Sequence, residues 1–222
     1  ADRFIYKKKL FSAIKHADII VATSEQTKND LIELCHAPSE KIHVIYQTCQ
    51  DIFFEAGKAK KSNYLENPYF LSVGAITPRK NFEELIKAMA KVDDARLIIA
   101  GRDTPHRAKL EKLCNDLNLS EKVVFRTDVN EQEMAGLYRD ALAFVYASKF
   151  EGFGIPLLEA QAAGCPVIAA NVSCLPEIAG PHSALFNLGD KEQLIKSMNE
   201  FLNEPNLRSK KSEEGLSFAA QF

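Results

Sequence analysis

Strand-length apolar stretches alternate with longer amphipathic stretches from Tyr69 onward, and this alternation constrains the fold more than any other feature of the chain. Alternating strands and helices are typical of a parallel sheet, because a crossover between parallel strands needs a dozen or more residues. About six such β/α units follow one another. The pattern predicts an α/β fold, a Rossmann-like doubly wound parallel sheet that binds its ligand at the carboxyl ends of the strands.

The bounds of these units follow from the apolar pattern. Strands are predicted at 69–74, 96–101, 122–125, 141–146, 166–170 and 183–186. Helices are predicted at 82–92, 105–117, 131–139, 156–163, 175–178 and 191–202. Residues 203–222 are polar and weakly periodic, so a terminal helix is one option, and we expect this domain to be incomplete at its C-terminus.

Residues 1–50 have a different organisation. A basic helix is predicted at 2–16, strands at 17–22 and 42–45, and a helix at 25–34 that Thr23-Ser24 can cap. Two strands do not form a stable sheet alone. We therefore expect residues 1–50 to be the tail of an N-terminal domain and the crossing from it, or an extension packed on the main domain, and residues 51–222 to form the ligand-binding domain. The polar stretch 58–63 predicts a surface loop, and the missing initiator Met suggests that the chain begins inside a longer protein.

Composition excludes several classes of protein. The net charge of -2 gives no bulk attraction for nucleic acid. No apolar run approaches the ~18 residues of a membrane span, and the N-terminus lacks the apolar core of a signal peptide. The five cysteines are odd in number and contain no C-x-x-C pair, which disfavours structural zinc and a disulfide framework. Reduced thiols in a cytoplasmic protein are expected.

The segment 150–160 carries the clearest chemical signal, because it follows a predicted strand and opens a predicted helix. Gly152 and Gly154 let a ligand approach the main chain closely, and N–H groups at a helix start favour an anion. Glu151 and Glu159 flank this turn and are suited to accept hydrogen bonds from sugar hydroxyls. A nucleotide sugar presents this combination of groups. An ordinary strand-to-helix turn with two solvated glutamates explains the same residues equally well.

A second segment follows the first strand of the domain. Thr77-Pro78 signals a turn, and Arg79 and Lys80 come where the next helix is predicted to begin. Two cations at a helix N-terminus oppose its dipole. A bound diphosphate would offset that cost, so the sequence predicts phosphate contacts for both side chains, with two solvated surface cations as the alternative.

Together, Gly74–Asn81 and Glu151–Glu159 resemble the two signature segments of glycosyltransferase family 4, a family with the GT-B fold. The E-x7-E spacing of Glu151 and Glu159 is the hallmark of that family. Three more stretches are similar to the family, and the last resembles the crossing between its two domains: 162–170, 175–180 and 17–53. The resemblance covers nearly the whole chain. It implies the C-terminal, donor-binding half of a retaining glycosyltransferase that uses a nucleotide sugar.

The resemblance also implies roles for individual residues. Arg79 and Lys80 would neutralise the donor pyrophosphate and the leaving nucleoside diphosphate, and Glu151 would contact hydroxyls of the transferred sugar. These three are the expected catalytic residues. Glu159 would accept hydrogen bonds from the ribose, and Val129 would lie near the base. The full set of expected donor-binding residues is Gly74, Ala75, Arg102, Val129, Gly152, Phe153, Gly154, Ile155, Leu158 and Glu159.

The chain departs from the family pattern at Ala75. Many members have an Arg at this place, directly after the Gly of the first signature. Arg79 is the residue that could supply the missing charge. Otherwise, stabilisation of the leaving group depends mainly on Lys80.

Cofactors and alternative functions follow from the same residues. Enzymes of this kind generally need no metal, and the chain has no D-x-D motif and no His cluster, so no cofactor is expected. A glycosidase also uses two carboxylates but does not need a phosphate-binding loop or adjacent cations. A GT-B nucleotide-sugar epimerase and a non-catalytic Rossmann-like nucleotide-binding domain stay open. The absence of G-x-G-x-x-G after the first strand argues against a dinucleotide.

Partners are implied only by analogy. The stretches 78–81 and 173–177 resemble bacterial mannosyl- and rhamnosyltransferases of surface polysaccharide assembly, which favours GDP-mannose as donor and a saccharide or lipid-linked acceptor. Acceptor choice would belong to an N-terminal domain that this chain mostly lacks, so we expect donor binding with poor turnover. The basic helix at 2–16 suits peripheral contact with the inner face of the cytoplasmic membrane, although a solvated helix face explains its lysines more simply.

Overall fold

The computed structural model of the chain describes residues 2–59 and 68–222, and it divides into two compact units. One unit ends at Gln47 and the other begins at Thr48. The boundary predicted from sequence lies three residues later, at residue 50. The assignment of the first unit to an acceptor domain stays a prediction.

The first unit contains the four elements that the sequence predicts, with shorter strands. They are α1 (Asp2–His16), β1 (Ile20–Ala22), α2 (Glu25–Cys35) and β2 (Ile42–Val44). The strands are parallel, with Ile20 opposite Ile42. Ser24 caps α2 by accepting a hydrogen bond from the main-chain N–H of Thr27. Among its described residues, the buried core of this unit consists of four apolar residues, namely Ile14, Ala22, Ala37 and Ile42.

The second unit is built on a parallel sheet of six strands, which confirms the predicted fold class. The strands are β3 (Tyr69–Val73), β4 (Arg96–Ala100), β5 (Val123–Arg126), β6 (Ala143–Tyr146), β7 (Val167–Ala170) and β8 (Ala184–Phe186). The helices are α3 (Asp51–Lys58), α4 (Phe82–Met89), α5 (Arg107–Asp116), α6 (Glu131–Asp140), α7 (Ile155–Ala162), α8 (Leu175–Ala179), α9 (Lys191–Asn203) and α10 (Pro205–Ala219). Apolar residues fill the strands on both faces, as expected where helices cover a parallel sheet on both sides.

The strand order β5-β4-β3-β6-β7-β8 places a topological switch point between β3 and β6. From β3 the chain adds β4 and β5 on one side, and it then returns to add β6, β7 and β8 on the other. The register pairs Phe70 with Ala143 and Leu71 with Phe144. Ligands of doubly wound sheets bind in the crevice outside the carboxyl ends of the strands at such a point. The loops after β3 and β6 are therefore the expected place for a site.

Two helices extend the predicted set. The sequence did not indicate α3, which the buried side chain of Phe53 holds against Tyr138, with ring centroids 5.8 Å apart. Lys58 ends this helix, so the predicted surface loop at 58–63 begins later, and residues 60–67 lie outside the described part of the chain. The terminal helix, left as an option by the sequence, is α10. It contacts α7, and the Ser212 hydroxyl donates to the Gly164 carbonyl over 2.7 Å.

Candidate active site

Arg79 and Lys80 lie in a 3-10 turn, Pro78–Lys80, one residue before α4 begins. The prediction that they form the start of the helix is therefore corrected. Asn81 separates the turn from α4 and has a left-handed backbone with φ of 57°. From the sequence, a bound diphosphate was expected to offset the two cations, with solvated surface cations as the alternative. The structure shows that a carboxylate of the chain itself, Glu151, offsets them.

Lys80 is a buried cation, with only 8% of its surface exposed. Its Nζ lies 2.7 Å from Glu151 Oε1 and 2.5 Å from the Tyr146 hydroxyl, and 4.7 Å from the centroid of the Tyr146 ring. Burial lowers the pKa of Lys80 from its ordinary value, and the hydrogen bond to Glu151 opposes that change. The neighbouring carboxylate thus favours the charged form of the ammonium group, which burial disfavours.

Gly74 makes room for this lysine, and Gly101 makes room for the main chain of Gly74. A Cβ at Gly74 would lie 2.6 Å from Lys80 Cε, and a Cβ at Gly101 would lie 2.3 Å from the Gly74 carbonyl oxygen. Both glycines have positive φ, 148° and 142°, which other residues rarely adopt. The turn after β3 therefore requires glycine so that the main chain can approach the Lys80 side chain.

Four donor groups contact the same carboxylate oxygen of Glu151, Oε1. Arg79 Nη1 lies 2.5 Å away, Lys80 Nζ 2.7 Å, the Ser148 hydroxyl 2.6 Å and the Tyr146 hydroxyl 3.0 Å. Burial alone would raise the pKa of Glu151. The hydrogen bonds from Arg79, Lys80 and Ser148 outweigh it and hold that pKa at about 2. The carboxylate is therefore ionised throughout the physiological pH range.

Arg79 joins the two loops that carry the site. Its side chain is 48% exposed, and Nη1 donates to the Phe150 carbonyl over 2.6 Å in addition to its contact with Glu151. Its own carbonyl accepts from the main-chain N–H of Lys149 over 2.9 Å. The loop after β3 is thus bound to the loop after β6 through side chain and main chain. The exposed face of the guanidinium stays open to solvent.

The loop that carries Glu151 is held from a second side by the residues before α8. The Ser173 hydroxyl donates to the Glu151 carbonyl over 2.5 Å. The Cys174 thiol donates to the Phe153 and Glu151 carbonyls over 3.1 Å and 3.2 Å, and burial raises its pKa to about 11, so it keeps its proton. Gly154 has a φ of 98° at the start of α7. Apart from Gly152 itself and its two chain neighbours, no described atom lies within 4 Å of a Cβ built at Gly152, so the loop leaves space at that point.

Glu159 lies on α7 in different surroundings. Its Oε2 accepts a hydrogen bond from the Tyr138 hydroxyl over 2.9 Å. Burial raises the pKa of Glu159, and the hydrogen bond from Tyr138 only partly opposes the rise. The two glutamates of the E-x7-E pair therefore differ in charge behaviour although they lie eight residues apart.

The other predicted residues are distributed around this centre. Arg102 and Val129 line a cleft of about 470 Å³ together with Gly101, Asp128 and Met134. Leu158 is buried in the core with 1% of its surface exposed, so its side chain is not available to a ligand. The remaining predicted residues lie just after β3, in the loop that leads into α7, or at the first residue of α7, and these are Gly74, Ala75, Gly152, Phe153, Gly154 and Ile155. Of the whole predicted set, the structure brings Arg79, Lys80 and Glu151 into direct contact.

Sequence reasoning missed Tyr146, Ser148 and Ser173. Tyr146 ends β6, and Ser148 follows in the loop before Glu151. Polar side chains at the carboxyl end of a strand next to a switch point could have indicated the first two. Ser173 has a left-handed backbone with φ of 54°. It begins the 173–177 stretch noted in the sequence, but that resemblance gave it no role in the site.

A family model described as glycosyl transferases group 1 matches residues 53–217. The chain belongs to the glycosyl transferases group 1 family. The match begins in α3 and ends in α10, so it includes the whole six-stranded sheet and both loops of the site.

Similarity to two named bacterial proteins supports this placement. The chain is 34% identical over 197 residues to the O-antigen chain mannosyltransferase RfbU of Salmonella typhimurium, covering 88% of this chain and 52% of that protein. It is 27% identical over 233 residues to the O-antigen chain mannosyltransferase B of Escherichia coli, covering 100% of this chain and 61% of that protein. The chain thus spans between half and two thirds of the length of these relatives.

Solved structures of glycosyltransferases share the fold. Sucrose-phosphate synthase from Thermosynechococcus elongatus matches 97% of this chain with a TM-score of 0.86 and 24% identity, over 56% of its own length. The Anabaena protein HepE, in complex with UDP and glucose, also matches 97% of this chain with a TM-score of 0.86, at 19% identity and over 62% of its own length. These likenesses confirm the GT-B C-terminal fold.

Two features bear on cofactors and membranes. Within residues 2–59 and 68–222, no three His, Cys, Asp or Glu side chains gather as they would around a metal ion. No helix of that same part of the chain combines the length and the apolar character needed to cross a bilayer.

Proposed function

We propose that this chain is the donor-binding half of a retaining glycosyltransferase of family 4 that transfers a hexose from a nucleotide sugar. The observation that supports it most is the contact of Lys80 and Arg79 with Glu151 at the topological switch point. Two cations, two hydroxyls and a carboxylate meet there beside a glycine turn. This set suits a sugar diphosphate, because it offers donors for phosphate and an acceptor for hydroxyls.

The proposed mechanism assigns a task to each group. Lys80 and Arg79 stabilise the charge that develops on the phosphate oxygen as its bond to the anomeric carbon breaks, and such stabilisation is often the largest part of catalysis. Glu151 accepts hydrogen bonds from the transferred sugar. Glu159 accepts from the ribose, and the cleft at Arg102 and Val129 receives the base. The transfer proceeds without a metal ion, because the two cations supply the charge that a metal would otherwise supply.

For the donor and acceptor we favour GDP-mannose and a saccharide or lipid-linked acceptor of bacterial surface polysaccharide synthesis. The support is the similarity to two proteins named as O-antigen chain mannosyltransferases. Names of glycosyltransferases among the relatives favour transfer over epimerisation.

The proposal includes an N-terminal domain that supplies the acceptor site, since the chain spans 52% and 61% of its two O-antigen relatives. The first unit supports this, because large apolar side chains are exposed on β1, just before it and on α2, namely Val21 at 56%, Ile19 at 64% and Leu34 at 71%. We expect the chain alone to bind donor and to turn over poorly. A cytoplasmic site of action, at the inner face of the membrane, belongs to the same proposal.

Isothermal titration calorimetry of the chain with GDP, UDP, GDP-mannose, UDP-glucose and the free nucleosides tests the proposal. We expect nucleoside diphosphates and at least one nucleotide sugar to bind more tightly than nucleosides, because only they reach the cations. Preference for guanine would support GDP-mannose, and preference for uracil would exclude it. Absence of binding by every nucleotide at millimolar concentration would refute the donor-domain assignment.

A further inference from the structure

The donors around Glu151 Oε1 exceed what one carboxylate oxygen can accept well. An ionised carboxylate has about four acceptor positions divided between its two oxygens. Here Arg79, Lys80, Tyr146 and Ser148 all meet at Oε1, between 2.5 Å and 3.0 Å away. A group with three oxygens on one centre would satisfy the same donors more evenly. The donor set therefore has the chemistry of an oxyanion site that a side chain now fills.

Among residues 2–59 and 68–222, the two cations have no comparable second anion in the site. Coulombic interaction with the more distant Glu159 acts on Lys80, but only Glu151 both hydrogen bonds to it and interacts with its charge. Arg79 pairs with the same oxygen. A phosphate that approaches Lys80 must therefore compete with Glu151 for it, since both are negative and both need the ammonium group. Glu151 is held in place by its main chain, through Ser173, so its side chain can move without loss of the loop.

We propose that Glu151 is an internal competitor of the donor diphosphate, which displaces its carboxylate from Lys80 and Arg79 when the donor binds. The inference rests on the proposed function and deepens it. The displaced carboxylate needs new donors, and sugar hydroxyls supply them. A nucleotide sugar offers both the phosphates and the hydroxyls, whereas a nucleoside diphosphate offers only the phosphates.

Glu151 thereby determines specificity for donor over product. When a nucleotide sugar is bound, the Glu151 carboxylate loses its contacts with Lys80 and Arg79 and gains hydrogen bonds from the sugar hydroxyls. With a nucleoside diphosphate bound, the carboxylate lies beside phosphate without that compensation, and like charges repel. This repulsion favours return of the Glu151 carboxylate to Lys80 and release of the nucleoside diphosphate. A purely structural ion pair would have no such effect on the ratio of the two affinities.

The test compares Glu151→Gln with the unaltered chain in calorimetric titrations of GDP, UDP, inorganic pyrophosphate and the corresponding nucleotide sugars. We expect GDP, UDP and pyrophosphate to bind about tenfold more tightly to the variant, because the competing charge is gone. Nucleotide sugars should gain less or bind more weakly, so that the preference for donor over product falls. Glu192→Gln, at an exposed glutamate in the first turn of α9, is the matched control and should change neither affinity.

A second variant keeps the test decisive if circular dichroism shows that Glu151→Gln does not fold. Glu151→Asp retains the charge but withdraws the carboxylate by one methylene, and we expect about threefold tighter pyrophosphate binding. Unchanged or weaker binding of pyrophosphate and nucleoside diphosphates by the folded variant would overturn the inference while leaving the donor-domain assignment intact. Failure of the unaltered chain to bind any nucleotide would overturn both.

Discussion

The two ends of the segment Glu151–Glu159 carry the same side chain in opposite environments. At the loop end, Glu151 contacts two cations and two hydroxyls, and its pKa is held at about 2. At the helix end, Glu159 meets one phenol, and burial raises its pKa. Environment decides the difference, because opposite charges favour the ionised carboxylate and desolvation disfavours it.

This comparison shows how one short segment can serve two kinds of contact. The loop end is matched to phosphate and sugar through charge. In the part of the chain that the structure describes, no cation contacts the helix end directly, and this end is matched to neutral hydroxyls. Variants that alter one end at a time test whether the two ends differ in this way.

Lys80→Ala should produce the largest effect, because it removes the buried cation of the loop end. We expect nucleoside diphosphate binding to weaken about 100-fold, while nucleoside binding changes by less than about twofold. Calorimetry measures both. Lys87→Ala, at an exposed lysine on α4, is the control and should leave both affinities unchanged. Equal losses for diphosphate and nucleoside would contradict the phosphate role of Lys80.

Glu151→Gln and Glu159→Gln should change stability in opposite directions. Folding lowers the pKa of Glu151, so its ionised carboxylate stabilises the protein. This stabilisation is complete above the ordinary pKa of 4.5 and is lost as the pH falls toward 2. Folding raises the pKa of Glu159, so its ionised carboxylate destabilises the protein above the raised pKa, and protonation restores the lost stability. At pH 7 we therefore expect Glu151→Gln to lower the free energy of unfolding by about 2 kcal/mol and Glu159→Gln to raise it slightly.

Urea unfolding at pH 7, with Glu192→Gln as the control, measures these changes. The same sign for both variants would show that the two environments do not differ as the structure indicates.

The helix end should give nucleoside binding a pH dependence. As the pH falls through the raised pKa of Glu159, its carboxylate gains a proton and no longer accepts two hydrogen bonds from a ribose. We expect nucleoside affinity to fall toward the level of Glu159→Gln, about tenfold below that of the unaltered chain at pH 7. Calorimetry at a series of pH values should show this fall in the unaltered chain and a flat profile in Glu159→Gln.

Tyr138→Phe refines this prediction. The hydrogen bond from Tyr138 lowers the pKa of Glu159, so its removal should move the fall to higher pH. A fall at the same pH in the unaltered chain and in Tyr138→Phe would argue against that contact.

Ser148→Ala should give the smallest effect. It removes one neutral donor from Glu151 and leaves both cations in place. We expect the free energy of unfolding to fall by about 1 kcal/mol, measured by urea unfolding, and the pKa of Glu151 to rise slightly. Ser217→Ala, at an exposed serine of α10, is the control. A change no larger than in that control would show that Ser148 adds nothing to the loop end.

Much of the fold was predictable because it depends on local pattern. All six strands of the sheet and the helices between them follow the apolar periodicity within a few residues. The helix α3 was not predictable, because Phe53 and Gly57 fix it through tertiary contacts. A Cβ at Gly57 would lie 2.3 Å from the Ala162 carbonyl, so this glycine allows α3 to approach α7.

The residues of the candidate site could be predicted from the sequence, but most of the contacts between them could not. Arg79, Lys80 and Glu151 were each indicated by sequence, but local reasoning proposed a bound diphosphate, and not Glu151, as the partner of the cations. The ion pair depends on residues 71 positions apart, and no local spacing reveals it. Tyr146 and Ser148 were missed for the same reason, since their importance appears only once Lys80 reaches Glu151.

By itself, the sequence determined the parallel α/β fold, the glycine turns and the residue types that meet ligands, because periodicity and backbone freedom are local properties. The tertiary structure decided which charges meet. It places β3 beside β6, so the loops that follow them lie together and Lys80 reaches Glu151. The burial of that contact then sets the charge of both groups, since desolvation and the distance between opposite charges depend on the packed molecule.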